Sequence, residues 1–401
     1  MARSRSVIVA GAGIGGLTAA LALARVGFRV VILEQARILD ETGAGIQLSP
    51  NATRILDGLG LLDRIAALAV TPDFLRVLTS RGREITRMPL GRVAEFFYGA
   101  PYLTIHRGDL QAALVAAVQA EPDITLRLDS RVDDFAVHSK GITAQIRHTS
   151  GNTDEHGIAL IAADGLWSAL RERIGHQRPP RFYQRTAWRA TVDAGDVAAP
   201  LRESVISLWL GRHAHLVHYP VSGGRRVNIV AIVHDEWSEV GWSSAGARDE
   251  IVSRFTRWAP GARSIIAAPK NWLKWALCDQ QPLRQWGEGP VTILGDAAHP
   301  MLPFLAQGAA SAIEDAHVLA QCLGESPEEP AAALRRYESE RVARTARLQQ
   351  AAIRNRRVYA HWGINGFLRN IALRAIGGEG LMRQYDWIYD WRPRAPLKPV
   401  E

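Results

Sequence analysis

The stretch VIVAGAGIGGLTAALALARVGFRVVILEQ, residues 7–35, decides how the rest of the chain is read. Arg3 and Arg5 precede it, and its apolar run passes through Ala-Leu-Ala-Leu-Ala at residues 20–24. One reading is therefore an export signal, with a basic start, an apolar middle and a small-residue cleavage site. The other is a strand, a phosphate-binding turn, a helix and a second strand. Residues 7–10 are a short run of strand formers, and Gly11, Gly13 and Gly16 give G-x-G-x-x-G. The spacing then predicts a helix over 17–26, stopped at Gly27, and a strand over 29–33 ending at Glu34. An export signal has no reason to continue into a second strand, so the βαβ reading holds.

Each part of that unit has a physical task. Gly11 permits the tight turn, Gly13 lets the backbone approach a pyrophosphate, and Gly16 lets helix and strand pack closely. The helix N-terminus offers free N–H groups and a positive dipole end to the phosphates. Glu34, eighteen residues past Gly16, is placed to take both hydroxyls of an adenosine ribose, and its charge argues against a 2′-phosphate. The cofactor-binding residues expected here are Gly11, Ala12, Gly13, Ile14, Gly15 and Gly16, with Glu34 and Gln35. The ligand is FAD or NAD rather than NADP.

The chain has 401 residues, 47% hydrophobic and 22% charged, which suits a globular protein of two lobes. Its formal net charge of +8 comes from scattered arginines rather than a basic run, so anionic small molecules are expected as partners and nucleic acid is not. Two cysteines, Cys278 and Cys322, stand far apart without a CxxC partner. They exclude a disulfide framework and a thiolate zinc site and fit a reducing cytoplasm; no metal is expected. No apolar stretch of membrane-spanning length is present.

The choice between FAD and NAD rests on the remaining segments. An NAD dehydrogenase would add further βα units soon after Glu34. Residues 41–51 instead read ETGAGIQLSPN, a Gly-rich loop before a helix over 52–59. In YLTIHRGDLQAALVAAV (102–118), Arg107 precedes a helix whose expected N-cap is Asp109. IALIAADGLWSALRERI (158–174) is a strand ending at Asp164-Gly165. VTILGDAAHPMLPFLAQGAASAIEDAHVLAQCL (291–323) is a strand ending at Gly295-Asp296, followed by a Pro-containing loop and a long helix.

Together these segments resemble the class A flavoprotein aromatic hydroxylases, the single-component FAD monooxygenases of the para-hydroxybenzoate hydroxylase fold. The G-x-G-x-x-G, Asp-Gly and Gly-Asp fingerprints occur in that order and at the usual separations. GAGIQLSPN, HRGDL and GDAAHPMLP…QGAASAIEDA look closest to the branch containing salicylate 1-hydroxylase, 3-hydroxybenzoate 6-hydroxylase and 6-hydroxynicotinate monooxygenase. The resemblance implies an α/β fold with an α+β inserted lobe: a Rossmann-like FAD-binding domain, an antiparallel-sheet substrate domain and a C-terminal helical region. The expected division is 1–176 for the first FAD-binding part (with substrate-lobe elements near 70–105), 177–285 for the substrate sheet, 286–330 for the return, and 331–401 for the helices. It also implies hydroxylation of a small aromatic acid by NAD(P)H and O₂ through a flavin C4a-hydroperoxide, NADH being the expected reductant. Arg107 is expected near the pyrophosphate or ribityl chain, Asp296 on a ribityl hydroxyl, and Asp164 in a region shared by FAD and the nicotinamide. The loop 300–308 is expected beside the flavin ring, with Gly308 at its end and the following helix giving the ring its positive end. The expected assembly is a cytoplasmic monomer or homodimer without a membrane span.

Three strand-like runs occupy the middle of the chain, at 205–211, 214–221 and 226–233, and suit an antiparallel wall of a substrate cavity. Alternation places His213, His215, Val217 and Tyr219 on one face, and Leu216 and His218 on the other. The resemblance makes the histidine of H-x-x-x-Y-P, His215, the partner of the substrate's phenol oxygen, because a neutral imidazole can accept that proton near pH 7. Pro303 and Gln47 complete the catalytic set. Pro303 stands where some 3-hydroxybenzoate 6-hydroxylases carry a polar residue, and it has no side-chain donor or acceptor. Gln47 stands where a 6-hydroxynicotinate enzyme is expected to carry a catalytic histidine; it either faces flavin or substrate or satisfies loop backbone. A helix is expected near 247–258, a strand near 272–278 and a long helix over 330–357. The aromatic ending YDWIYDW is expected to pack back on the body or a partner subunit. The rival readings are a reductase or dehydrogenase on the same fold and a flavin-binding regulator without turnover.

Overall fold

The structure is a computed structural model that describes residues 5–39, 44–237 and 241–398. Arg3 and the head of the expected Gly-rich loop, residues 41–43, lie outside the described residues.

The strand Ser6–Ala10 pairs in parallel with Arg29–Leu33 on one side and Ala159–Ala162 on the other, Val7 facing Val30 and Ala159. Ile124–Arg127 extends the sheet beyond Arg29–Leu33, and Val291–Ile293 extends it beyond Ala159–Ala162. A short antiparallel strand, Gly287–Glu288, closes the edge to make six strands. The three inner strands are near-continuous apolar runs because both faces of the sheet are covered there; Val7, Ile8, Val9, Leu160 and Ile161 are fully buried. The helix Ile14–Arg25 lies against the helix Gly308–Glu325. At Gly11, where φ is +109°, a Cβ would lie 2.4 Å from the carbonyl oxygen of Ala163, and at Gly16 it would lie 2.0 Å from that of Gly11. No side chain fits at either position, which is the packing reason for two of the three motif glycines. A three-stranded meander, Arg131–His138, Gly141–His148 and Gly151–Gly157, adds Ile142, Ala144 and Ile146 to the same core.

The second sheet has eight strands in the order 243–246, 272–279, 181–193, 226–234, 214–221, 205–210, 74–79 and 84–89. Every neighbouring pair is antiparallel except Val205–Leu210 with Phe74–Thr79. One face carries Leu216, Ile229 and Ala231 and is covered by the helices Arg248–Arg254 and Pro260–Ala267 through Ile251, Phe255, Ile265 and Ile266. The opposite face looks into the molecule. Two long helices follow, Pro330–Ala360 and Gly363–Arg383, the second bent at Gly377, and then Asp386–Tyr389. The α/β class with an antiparallel second sheet and a helical C-terminal region is as expected.

Three local expectations are corrected. The helix expected to be capped by Asp109 begins at Arg107, with His106 before it; Asp109 sits in its first turn and accepts a hydrogen bond from Ser222 Oγ at 2.7 Å. His213 does not share the strand alternation, because it occupies the hairpin turn at φ +59° and the strand starts at Ala214. The helix expected near 247–258 ends early, at Arg254, and a separate helix follows from Pro260 to Ala267. Among the described residues no helix is long and apolar enough to cross a membrane, and no group of side chains could hold a metal ion.

Candidate active site

The turn after the first strand and the end of the second strand form one end of a crevice. The Glu34 carboxylate accepts hydrogen bonds from the backbone N–H of Ala12 (2.7 Å) and of Ala36 (2.8 Å), which fixes it at the lip of the turn. A cavity of about 280 Å³ opens there, lined by Gly11 to Gly13, Glu34, Gln35, Asp164, Gly165 and Trp167 among others. Through Gly13, Ala163 and Gly165 it adjoins a larger cavity of about 380 Å³. That second space is lined by Ile14, Gly15, Gln47, Arg107, Asp296, Pro303 and Gly308, and beyond them by His215. Every cofactor residue expected from the sequence except Gly16 thus faces one continuous crevice between the parallel sheet and the eight-stranded sheet. Gly16 serves it from behind by letting the turn close.

The crevice fits a dinucleotide with a long second half. A Cβ built on Gly13 would meet no protein atom within 4 Å, so the backbone there is open to a ligand. Gly308 is similarly open, its nearest neighbour being Asp296 Oδ1 at 3.9 Å. Two helix N-termini, at Ile14 and Gly308, therefore point bare N–H groups into the same space. Asp164 accepts from the Leu170 N–H through Oδ2, while its buried Oδ1 has no partner within the protein. Burial pushes the Asp164 pKa above the usual carboxylate range. An orphan acceptor at a cavity wall is satisfied by a ligand hydroxyl or amide. Asp296 projects from the short turn Gly295–Ala297 into the cavity, as a polyol-binding carboxylate must.

The far end is built on the strand Ala214–Val221. His215, Val217 and Tyr219 line the cavity; Leu216 and His218 point the other way, His218 lying beside Trp209 with ring centroids 6.3 Å apart. The His215 ring sits 5.2 Å from Phe304 and 5.5 Å from Tyr359, centroid to centroid. Burial, with the Arg185 charge adding to it, pushes the His215 pKa down to about 3, so the imidazole is neutral. Pro303 and Phe304 come from the turn Pro303–Leu305. Gln47 lies on a two-stranded ribbon and faces the cavity, its Oε1 accepting from the Tyr102 hydroxyl at 2.7 Å.

Several lining residues have no sequence signal of their own. Tyr102, Tyr359, Tyr385, Tyr389 and Asn355 surround the far end, beside the Tyr219 that alternation places on the His215 face. Tyr385 and Tyr389 belong to the YDWIYDW ending, which does pack back on the body, and both line the cavity. Arg189 also lines the space; its guanidinium stacks 4.2 Å from the Trp275 ring, and burial together with Arg107 pushes its pKa down to about 10. Arg189 remains a cation at neutral pH.

His215 and His218 contribute to the loss of stability at acid pH. Burial, aided by the Arg76 charge, pushes His218 down to about 3 as well. Both groups have folded pKa values below the unfolded value of about 6.5, so their stabilisation is complete above that pH and is lost as pH falls towards about 3. Each adds up to about 1.4 kcal/mol per pH unit across that window. Urea unfolding at pH 7, 6 and 5 should therefore show stability falling steeply, and the apolar His218→Phe protein should lose about half of the part of the slope these two histidines supply. A slope unchanged in His218→Phe rejects the assignment.

The chain is similar to known proteins over most of its length. A family model described as an FAD binding domain matches residues 4–352. The chain is 35% identical to 3-hydroxybenzoate 6-hydroxylase of Klebsiella oxytoca over 98% of each chain. It is 34% identical to 6-hydroxynicotinate 3-monooxygenase of Bordetella bronchiseptica over 86% of this chain and 90% of that protein. A solved salicylate hydroxylase substrate complex superposes with a TM-score of 0.80 at 25% identity, covering 96% of this chain and 95% of the other.

Proposed function

We propose, for a chain that belongs to the FAD binding domain family and is an FAD-dependent monooxygenase of small aromatic acids, that its substrate is of the 3-hydroxybenzoate type and that His215 accepts the hydroxyl proton. The observation that carries this reading is the place of His215: buried between Phe304 and Tyr359 and facing the cavity into which the Gly308 helix end also opens. FAD held by the Gly11–Gly16 turn, Glu34, Asp164 and Asp296 would, once reduced by NADH or NADPH, supply the O₂ chemistry by which one oxygen atom goes to the ring and the other leaves as water. His215 takes the phenolic proton, and the ionised oxygen raises electron density at the ring carbons ortho and para to it. The ring proton at the attacked carbon is released as aromaticity returns. Pro303 offers no side-chain donor or acceptor, and in this reading the hydroxyl's partner is His215. Leu75, Met88, Ile206, Val217 and Phe304 make the surrounding wall apolar and keep water out.

Tyr219 and Gln47 take the acid group in this reading, and the strand sets the distance. His215 and Tyr219 are four residues apart on one face, about 13 Å along a strand. A ring with its hydroxyl and carboxylate on non-adjacent carbons reaches towards both; groups on adjacent carbons bring both oxygens to one end. We place the enzyme in the cytoplasm, where NAD(P)H is supplied. The test is oxygen uptake and product analysis with FAD-loaded protein. NAD(P)H oxidation should rise on adding 3-hydroxybenzoate, with one O₂ consumed and one dihydroxybenzoate formed per reductant, and salicylate should be poorer. Coupled turnover of salicylate in preference to 3-hydroxybenzoate would reject the proposed substrate.

A further inference from the structure

Beneath the crevice lies a buried charged network that the chemistry above does not use. Arg341, Glu314 and Asp315 have side chains with no exposure at all. Asp315 Oδ1 accepts from Arg341 Nε at 2.7 Å, while its Oδ2 accepts from the Gly295 N–H at 3.1 Å and bonds His299 Nε2. Gly295 and His299 flank Asp296, so this carboxylate holds the turn that aims Asp296 into the cavity. The neighbouring Glu314 is paired with Arg341 Nη1 at 2.7 Å and accepts from Arg344 Nε and Nη2 and from Asn51 Nδ2 at 2.6 Å. Asn51 in turn accepts from Ser49 Oγ and donates to Gln307 Oε1, and Gln307 Nε2 donates back to Ser49 Oγ. Gln307 precedes Gly308, the open helix start. Ser49 follows the strand that carries Gln47.

We propose that Asp315 and Glu314, locked together by Arg341, are positioning residues that set the two loops receiving the ribityl and ring half of FAD. A buried ion network is a poor way to gain stability alone, since an apolar core of equal volume serves as well or better. Its directional bonds go instead to the Gly295–Ala297 turn on one side and to Ser49 and Gln307 on the other. The adenosine half rests on the turn after the first strand and on Glu34, which the network does not touch. Loss of the network therefore separates the two halves of the ligand.

The test compares affinities of the apo-protein for FAD and for ADP, which fills only the adenosine end. Asp315→Asn removes the charge that three donors share, and Asn51→Ala is the milder change on the other branch. Each substitution should weaken FAD about ten- to hundredfold, the range for a lost hydrogen bond to a charged buried group, while ADP stays within about twofold. If Asp315→Asn does not fold, Asn51→Ala decides. Equal weakening of FAD and ADP would show a general structural role, and no change in either would show no role; both overturn the proposal.

Discussion

A His215→Asn protein should bind FAD and unfold as cooperatively as the parent, yet hydroxylate 3-hydroxybenzoate about a hundred- to ten-thousandfold more slowly at pH 7. Asparagine fills much of the same space between Phe304 and Tyr359 but accepts no proton. The pH dependence identifies the cause. In the parent, burial holds the free imidazole's pKa down to about 3, a phenolate formed beside it favours the charged ring and offsets that burial, and the rate should be nearly flat from pH 6 to 8. In the variant the substrate must ionise without help, so its rate should climb about tenfold per pH unit towards the ordinary phenol pKa of about 10. A variant within threefold of the parent at pH 7, or one whose rate does not rise with pH, removes His215 from its assigned role.

Gly13→Val should give a folded protein without colour. Gly13 has φ −71° and ψ 178°, a conformation that valine adopts readily, and its Cβ would meet no protein atom within 4 Å. Packing therefore tolerates the change. The new side chain occupies the space through which a pyrophosphate approaches the helix N-terminus, and losing two charge-assisted hydrogen bonds costs about a hundred- to ten-thousandfold in affinity. Gly16→Val is the contrasting control, since a Cβ there would lie 2.0 Å from the Gly11 carbonyl oxygen and must disturb the fold itself. Measured by flavin retention and thermal unfolding, the two variants should part company. FAD bound to Gly13→Val with parental affinity would show that the dinucleotide lies elsewhere.

The cofactor end of the crevice was legible because its demands are local. Gly16 faces the Gly11 carbonyl oxygen within one turn of chain, and Glu34 follows a strand paired to the first, so spacing exposes them; Gly11 faces the Ala163 oxygen of a distant strand and is legible only through the motif. Asp164 and Asp296 were found only as parts of longer motifs; nothing in Asp-Gly or Gly-Asp by itself separates a ligand contact from a turn. Alternation correctly put His215, Val217 and Tyr219 on one face and failed at His213, where a turn residue at φ +59° breaks the period. Tyr102, Tyr359 and the pair Tyr385 and Tyr389 were invisible as a group, because they come from three distant segments that meet only after the C-terminal helices pack back. The Asn51–Glu314–Arg341 network was hidden for the same reason, with partners more than 250 residues apart on one branch.

The most direct measurement is a structure of the protein with FAD and 3-hydroxybenzoate bound. The ring should lie against Phe304, with its hydroxyl oxygen within about 3.2 Å of an imidazole nitrogen of His215 and its carboxylate turned towards Tyr219 and Gln47. A carboxylate seated on His215 with the hydroxyl at the opposite end, or a ring held outside this cavity, would be incompatible with proton transfer to that imidazole.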